Sequence, residues 1–372
     1  MKKLALLALL FIGLSTTSQI NKTFFLGHSL VNFHMPNMVN KLSIAGSNVY
    51  SYSVNVGNGA NLLYHWNNPT SGQGNQWNTT LPLGGFENFI VTEAVPLLGH
   101  LQWSNTYRIA DSLYHFAKLQ NPNIQYYIYE TWHCTNSGNG STSGAGGYPC
   151  DWDPQSTTLW KQRLTIDLPK WESIADSINL IHTNDMLIIP AGRALAQLYD
   201  SIVANKVPGI TSMNQLFSDN IHLTNAGNYF IACVMYGVIH KISPVGLPNQ
   251  LTDEWGVPYT VFPTATQAAV FQRIAWKTLC GYPRDGVNCL TTNINELNTD
   301  TFKIIPNPTQ NIFEVPSNSP LNIRIVSTNG SIIYENENYF KEKINIEKNG
   351  VYFIRIIDEN KNTINKKIII TN

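Results

Sequence analysis

Apolar runs of strand length alternate with amphipathic stretches over most of the chain. The segments "TFFLG" (23–27), "NVYSYSVNV" (48–56), "ENFIVTEAV" (87–95), "IQYYIYE" (124–130) and "DMLIIP" (185–190) predict strands, while 104–119 and 170–183 carry helical periodicity. Strands that are apolar almost throughout need cover on both faces, so the alternation predicts an α/β fold with a parallel sheet between helices. Two long stretches, 65–85 and 133–157, interrupt the pattern and are rich in Gly, Ser, Asn and Trp. Loops of that length either carry function or decorate the fold, and aromatic rings beside amides suit the faces and hydroxyls of sugars.

After Cys289 the pattern changes. A polar linker, 291–300, leads into a segment from Thr301 to Asn372 that is rich in Ile, Asn and Lys and contains no Trp, Cys or His. Its short alternating strands, with "TNG" and "KNG" turns between them, predict a small antiparallel β domain. The 372 residues exceed what one core comfortably holds, about 250 to 300, so two folded units are expected: 20–290 and 301–372.

Composition narrows the partners. Lys plus Arg and Asp plus Glu number 24 each, so no overall field draws in nucleic acid or an anionic membrane, and a neutral partner is expected. Lys2 and Lys3, the apolar run Leu4–Leu14 and the small residues Thr16-Thr17-Ser18 predict a cleaved signal peptide over residues 1–18. Polar residues follow too soon for a stable membrane span, which needs about 20 apolar positions. Export suits the five cysteines: Cys134 with Cys150, and Cys280 with Cys289, are expected as local disulfides, leaving Cys233 as a buried thiol. None of the five has zinc-ligand spacing.

A serine nucleophile needs a base within hydrogen-bond reach and a group that orients the base. Of the nine histidines, His222 in "FSDNIHLTNAGNYF" stands three residues after Asp219, on a turn expected to lead into a helix at Thr224 or Asn225. Ser29, in "FFLGHSLVNF", follows the first strand, and strand carboxyl ends are where sites form in open α/β sheets. Gly27 is expected to permit the turn that exposes Ser29, whose backbone N–H would help form an oxyanion hole. His65, His133, Glu130 and Arg193 are residues that could border this site or serve the scaffold.

Over residues 20–245 the chain resembles the SGNH (GDSL-like) hydrolase superfamily. "GHSL" matches its first block with Ser29 as nucleophile and His28 in place of the usual aspartate, and "DNIH" matches its last, with Asp219 and His222 as acid and base. The resemblance implies a three-layer α/β/α fold and an oxyanion donor from a glycine N–H in "VGNGANLLYHW", assigned to Gly59 with Gly57 as alternative. The family's third block, Gly-x-Asn-Asp, is absent. "FIVTEAVPLL" stands there with Thr92 and Glu93, and a carboxylate beside an oxyanion would be repulsive unless Glu93 is protonated, orients a donor or points elsewhere.

The tail is similar to the C-terminal sorting domain of type IX secretion cargo, through Pro306-Asn307-Pro308, "VSTNGSIIY", "NGVYFIRI" and Lys366-Lys367. That resemblance implies a small Ig-like β-sandwich, a partner in the type IX secretion machinery, and release or attachment at the cell surface. Together these features predict a secreted serine esterase, without metal or organic cofactor, acting on O-acyl groups, in the first place acetyl groups on carbohydrate. A surface binding or adhesion protein on a weakened hydrolase scaffold is the alternative.

Overall fold

A computed structural model describes residues 21–137, 158–183, 186–289, 302–359 and 363–371. The chain divides into two units, one up to Asn288 and one from Cys289. Phe24, Phe25 and Leu26 are fully buried, as expected for β1 (Asn21–Gly27), a strand covered on both faces.

β1 lies inside a six-stranded sheet of order β3-β2-β1-β4-β5-β6, with β2 (Tyr50–Val56), β3 (Gln73–Gly74), β4 (Asn88–Val91), β5 (Gln125–Glu130) and β6 (Leu187–Pro190). All pairings are parallel except β2 with the two-residue edge strand β3. The chain steps from β1 outward to β2 and then back past β1 to β4. The strand order therefore reverses at β1, and its carboxyl end is the place where such sheets leave room for a ligand.

Right-handed crossovers place α1 (His34–Ala45) on one face and α2 (Leu62–Asn67), α3 (Trp77–Thr80), α4 (Leu97–Trp103), α5 (Thr106–Gln120) and α6 (Trp160–Asn179) on the other. α7 (Ala191–Val203) follows β6, and α8 (Asn225–His240) packs on α1 and on α9 (Ala265–Cys280). Every residue of α8 from Ala226 to Ile239 is buried, as its apolar character on all sides requires. Cys233 lies within it as a free thiol, its pKa pushed up by burial. Cys280 and Cys289 form the expected disulfide. Cys134 is also disulfide-bonded, and its expected partner Cys150 lies outside the described residues, as do the signal peptide and the linker.

Two expectations change. α6 begins ten residues before the expected start at 170, because its buried face (Trp160, Leu164, Trp171, Ile174, Ile178) runs straight through Pro169. A proline inside a helix costs about 3 kcal/mol, which this burial offsets. The stretch 65–85 is not structureless: it holds α3 and β3, and Trp77 is buried against Phe116 and stacked on Trp66 at 5.7 Å. Trp77 is therefore core, not an open platform for a sugar ring.

The second unit is all-β and antiparallel. β8 (Leu321–Ser327), β9 (Ile332–Tyr339), β11 (Gly350–Ile357) and β12 (Thr363–Ile370) form a sheet of order β12-β11-β8-β9, beside a two-stranded pair of β7 (Ile312–Phe313) and β10 (Ile344–Asn345). Ile323, Ile325, Ile354, Ile356 and Ile368 fill its core.

Candidate active site

Ser29 follows β1 in a turn closed by Val31 N–H donating to the His28 carbonyl at 2.8 Å. The buried His28 side chain pins this turn: Leu30 N–H donates to Nδ1 at 3.3 Å, and Nε2–H donates to the Glu93 carbonyl at 3.1 Å. Burial lowers its pKa to about 4, so the ring is neutral at ordinary pH. Gly27 works differently from the expectation. Its backbone is still strand, and the space is what matters, since a Cβ there would lie 2.6 Å from both Thr92 Cγ2 and Val31 Cγ2. From the α2 side, the buried His65 donates Nε2–H to the Gly27 carbonyl at 3.0 Å, a scaffold role.

Asp219 and His222 sit on the turn before α8, which Thr224 caps by accepting from Gly227 N–H. Asp219 Oδ1 accepts the N–H groups of Ile221 and His222 at 2.8 and 2.6 Å, and Oδ2 accepts His222 Nδ1–H at 2.7 Å. Burial opposes ionisation of Asp219, but these hydrogen bonds outweigh it and hold its carboxyl below the ordinary value. The other ring nitrogen, Nε2, lies 2.9 Å from Ser29 Oγ, 193 positions away in sequence. With side-chain exposures of 42% and 39%, the His222–Asp219 pair is screened by water, so it contributes orientation more than stability.

The segment after β5 fixes this turn in place. Trp132 Nε1–H donates to the Ile221 carbonyl at 2.7 Å, and Thr135 N–H donates to the Asn220 carbonyl at 2.7 Å. Sequence reasoning missed Trp132. A tryptophan at a strand end signals only that its N–H needs a buried partner.

Around the Ser29 hydroxyl the glycines separate. Gly57 N–H donates to the Gly27 carbonyl at 2.9 Å and is engaged. Gly59 adopts φ +69° with open space where a side chain would point. Among the described residues, neither Gly59 N–H nor Ser29 N–H has a hydrogen-bond partner. Glu93 points elsewhere: its carboxyl is fully buried, accepting Leu62 N–H at 3.2 Å and Ala94 N–H at 2.8 Å on Oε1, with Thr106 Oγ1 2.7 Å from Oε2. Burial raises its pKa to about 7. Thr92 Oγ1–H donates to the Tyr129 carbonyl. The end of β4 thus aims no side-chain donor at Ser29.

A cavity of about 940 Å³ opens beside Ser29 and His222, walled by Leu30, Gly59, Ala94–Pro96, α4 and Ile221. A smaller one, about 170 Å³, shares Ser29 and His222 and is lined by Asn32, His34, Asn225 and Asn228. Glu130 and Arg193 line neither: buried Glu130 accepts Arg193 N–H at 3.1 Å, and the Arg193 guanidinium donates to the Gly281 carbonyl. Among the described residues, Asp111, His115 and His182 form a cluster with metal-ligand atoms within 4.8 Å of one another, also apart from both cavities.

Residues 303–371 match the family described as the secretion system C-terminal sorting domain, which establishes the type IX sorting tail and export to the cell surface or beyond. No curated protein matches the chain. Among solved structures, the chain is similar to the crystal structure of a DUF4886 family protein from Bacteroides uniformis ATCC 8492, at 17% identity and a TM-score of 0.53. That likeness covers 73% of this chain and 98% of the other, and it concerns the fold alone.

Proposed function

We propose that the first unit is an SGNH-like serine esterase that cleaves O-acyl groups from a polar alcohol such as carbohydrate, outside the cell. The observation that carries this is the unbroken chain of hydrogen bonds from Ser29 Oγ through both nitrogens of His222 to Asp219, at 2.9 and 2.7 Å. Three side chains from two distant segments meet at the point where the strand order reverses.

His222 Nε2 takes the Ser29 proton as Oγ attacks the ester carbonyl, and the Asp219 carboxylate steadies the imidazolium. This reading assigns the N–H groups of Ser29 and Gly59, unengaged among the described residues, as donors to the developing oxyanion. His222 then passes its proton to the departing alkoxide, leaving Ser29 acylated. Water attacks the acyl-enzyme with His222 again as base, releasing the acid and restoring the serine. Purified protein is expected to hydrolyse p-nitrophenyl esters, with a loss of at least about 10³-fold in Ser29→Ala.

One observation favours a binding or adhesion protein instead: Thr92 and Glu93 are both engaged inside the fold, so the end of β4 supplies no third oxyanion donor. Loss of one such donor costs about 10²- to 10³-fold in turnover, which slows an esterase without abolishing it. Equal residual activity in wild type and Ser29→Ala would favour the binding reading.

A further inference from the structure

The cavity beside Ser29 is far larger than an acetyl group needs. At about 940 Å³ it lies near the upper end of the roughly 300–1,000 Å³ typical of sites that enclose whole organic ligands. Its walls are chiefly apolar: Leu30, Ala94, Val95, Pro96, Trp103 and Ile221. Of the polar side chains on the wall, His28, His100 and Ser104 are engaged within the fold, while Asn58 and Gln102 make no hydrogen bond among the described residues. His100 Nδ1 lies 2.9 Å from Ser104 Oγ and 3.2 Å from Asn61 Nδ2, and both nitrogens of His28 are engaged with backbone. A sugar would find few open partners here, whereas an alkyl chain requires none.

The two cavities differ in chemistry and meet at Ser29, Leu30 and His222. The large apolar one contains Gly59, on the side where the carbonyl oxygen would turn, while the small one is lined by Asn32, His34, Asn225 and Asn228 beside His222, which must protonate the leaving oxygen. Asn32 and Asn228 bond to each other and to backbone, leaving Asn225 Oδ1 and the His34 ring as its open polar groups. Resting on the esterase reading above, we infer that the large cavity holds the acyl chain and the small one the polar alcohol. The substrate is then an ester of a medium-length fatty acyl group, about six to twelve carbons, with a hydroxylated alcohol, in place of the acetyl ester expected from sequence.

Gly99 of α4 provides the test. It lines the large cavity, and an added Cβ meets nothing within 4 Å, so a larger side chain there enters open space at the cavity wall and not the core. Replacing a helical glycine also favours the helix. The experiment measures kcat/KM of the purified full chain on p-nitrophenyl acetate, butyrate, octanoate and dodecanoate, for wild type, Gly99→Phe and Ser29→Ala, with melting temperatures to establish folding. A second series holds the acyl group as acetate and lengthens the alkyl alcohol.

Each methylene buried is worth about fourfold in binding, so wild type is expected to favour octanoate over acetate by at least about tenfold. Gly99→Phe should lower that ratio by at least about tenfold. A Ser29-dependent activity that prefers acetate, keeps its ratio in Gly99→Phe, or rises instead with alcohol chain length overturns the acyl assignment and leaves the esterase reading standing. Absence of Ser29-dependent hydrolysis on every ester overturns both.

Discussion

At Asp219 one carboxylate does two jobs: Oδ1 shapes the turn by accepting two backbone N–H groups, and Oδ2 fixes which His222 nitrogen carries the proton. Asp219→Asn keeps an oxygen for the turn but replaces the acceptor of Nδ1–H with a poorer partner. Turnover should therefore fall by about 10² to 10⁴-fold with the fold intact, read from kcat and the melting temperature together. A loss of stability without selective loss of kcat would assign Asp219 to the turn alone. That Ser29, Asp219 and His222 come together was legible in the sequence because two lie in one short motif and the third follows an apolar strand. Gly27 could not be read correctly. Its need is for space against Thr92 and Val31, side chains that arrive from another strand and from beyond the turn. Nor could His28, whose partner is a carbonyl 65 residues away.

The strands were legible because a sheet buried on both faces leaves apolar runs that nothing else explains. Element boundaries were less so: Pro169 marks a helix start by local rules, and only the packing of Trp160 and Leu164 shows that α6 continues past it. Glu93 ties three elements, and no local pattern announces that. Its carboxyl links the start of α2, the segment after β4 and Thr106 at the start of α5. The Thr106 hydroxyl is within donating reach of both Glu93 Oε2, at 2.7 Å, and the His100 carbonyl, at 3.0 Å.

Burial raises Glu93 from its ordinary 4.5 to about 7, so the folded state holds a proton that the unfolded chain has already lost. The stability this gives is fully present below about pH 4.5 and is lost as pH rises through 7. Glu130, raised to about 8, and Asp285, raised to about 7, act in the same direction. His28, His65 and His240, each lowered to about 4 by burial, act oppositely: their contribution is complete above pH 6.5 and is lost as pH falls toward 4. Glu93→Gln keeps the acceptor for both N–H groups and supplies an N–H toward Thr106. Its melting temperature should decline less than that of wild type between pH 5.5 and 8.5, and equal declines would contradict the assigned protonation.

Across the whole molecule the candidate site and the sorting tail fall in different units. The described site residues all belong to the first, and the match to sorting domains covers residues 303–371 of the second. Among the described residues no helix is long and apolar enough to cross a membrane. Removing residues 303–371 should leave the first unit folded but retained inside the producing cell, detected by fractionation and immunoblotting, while undiminished export would assign sorting elsewhere. The tail was readable from sequence because short strands and their turn residues repeat in order. The size and apolar walls of the Ser29 cavity were not, because Leu30, Pro96, Trp103 and Ile221 come together only in the fold.

Covalent labelling tests the central claim most directly. A fluorophosphonate reacts with a serine only where a base removes its proton, and mass spectrometry of the digested protein locates the adduct. The adduct is expected on Ser29 of the wild type, and to be lost in His222→Ala with the fold retained. An unlabelled Ser29, or equal labelling of Ser29 when His222 is absent, would contradict the account.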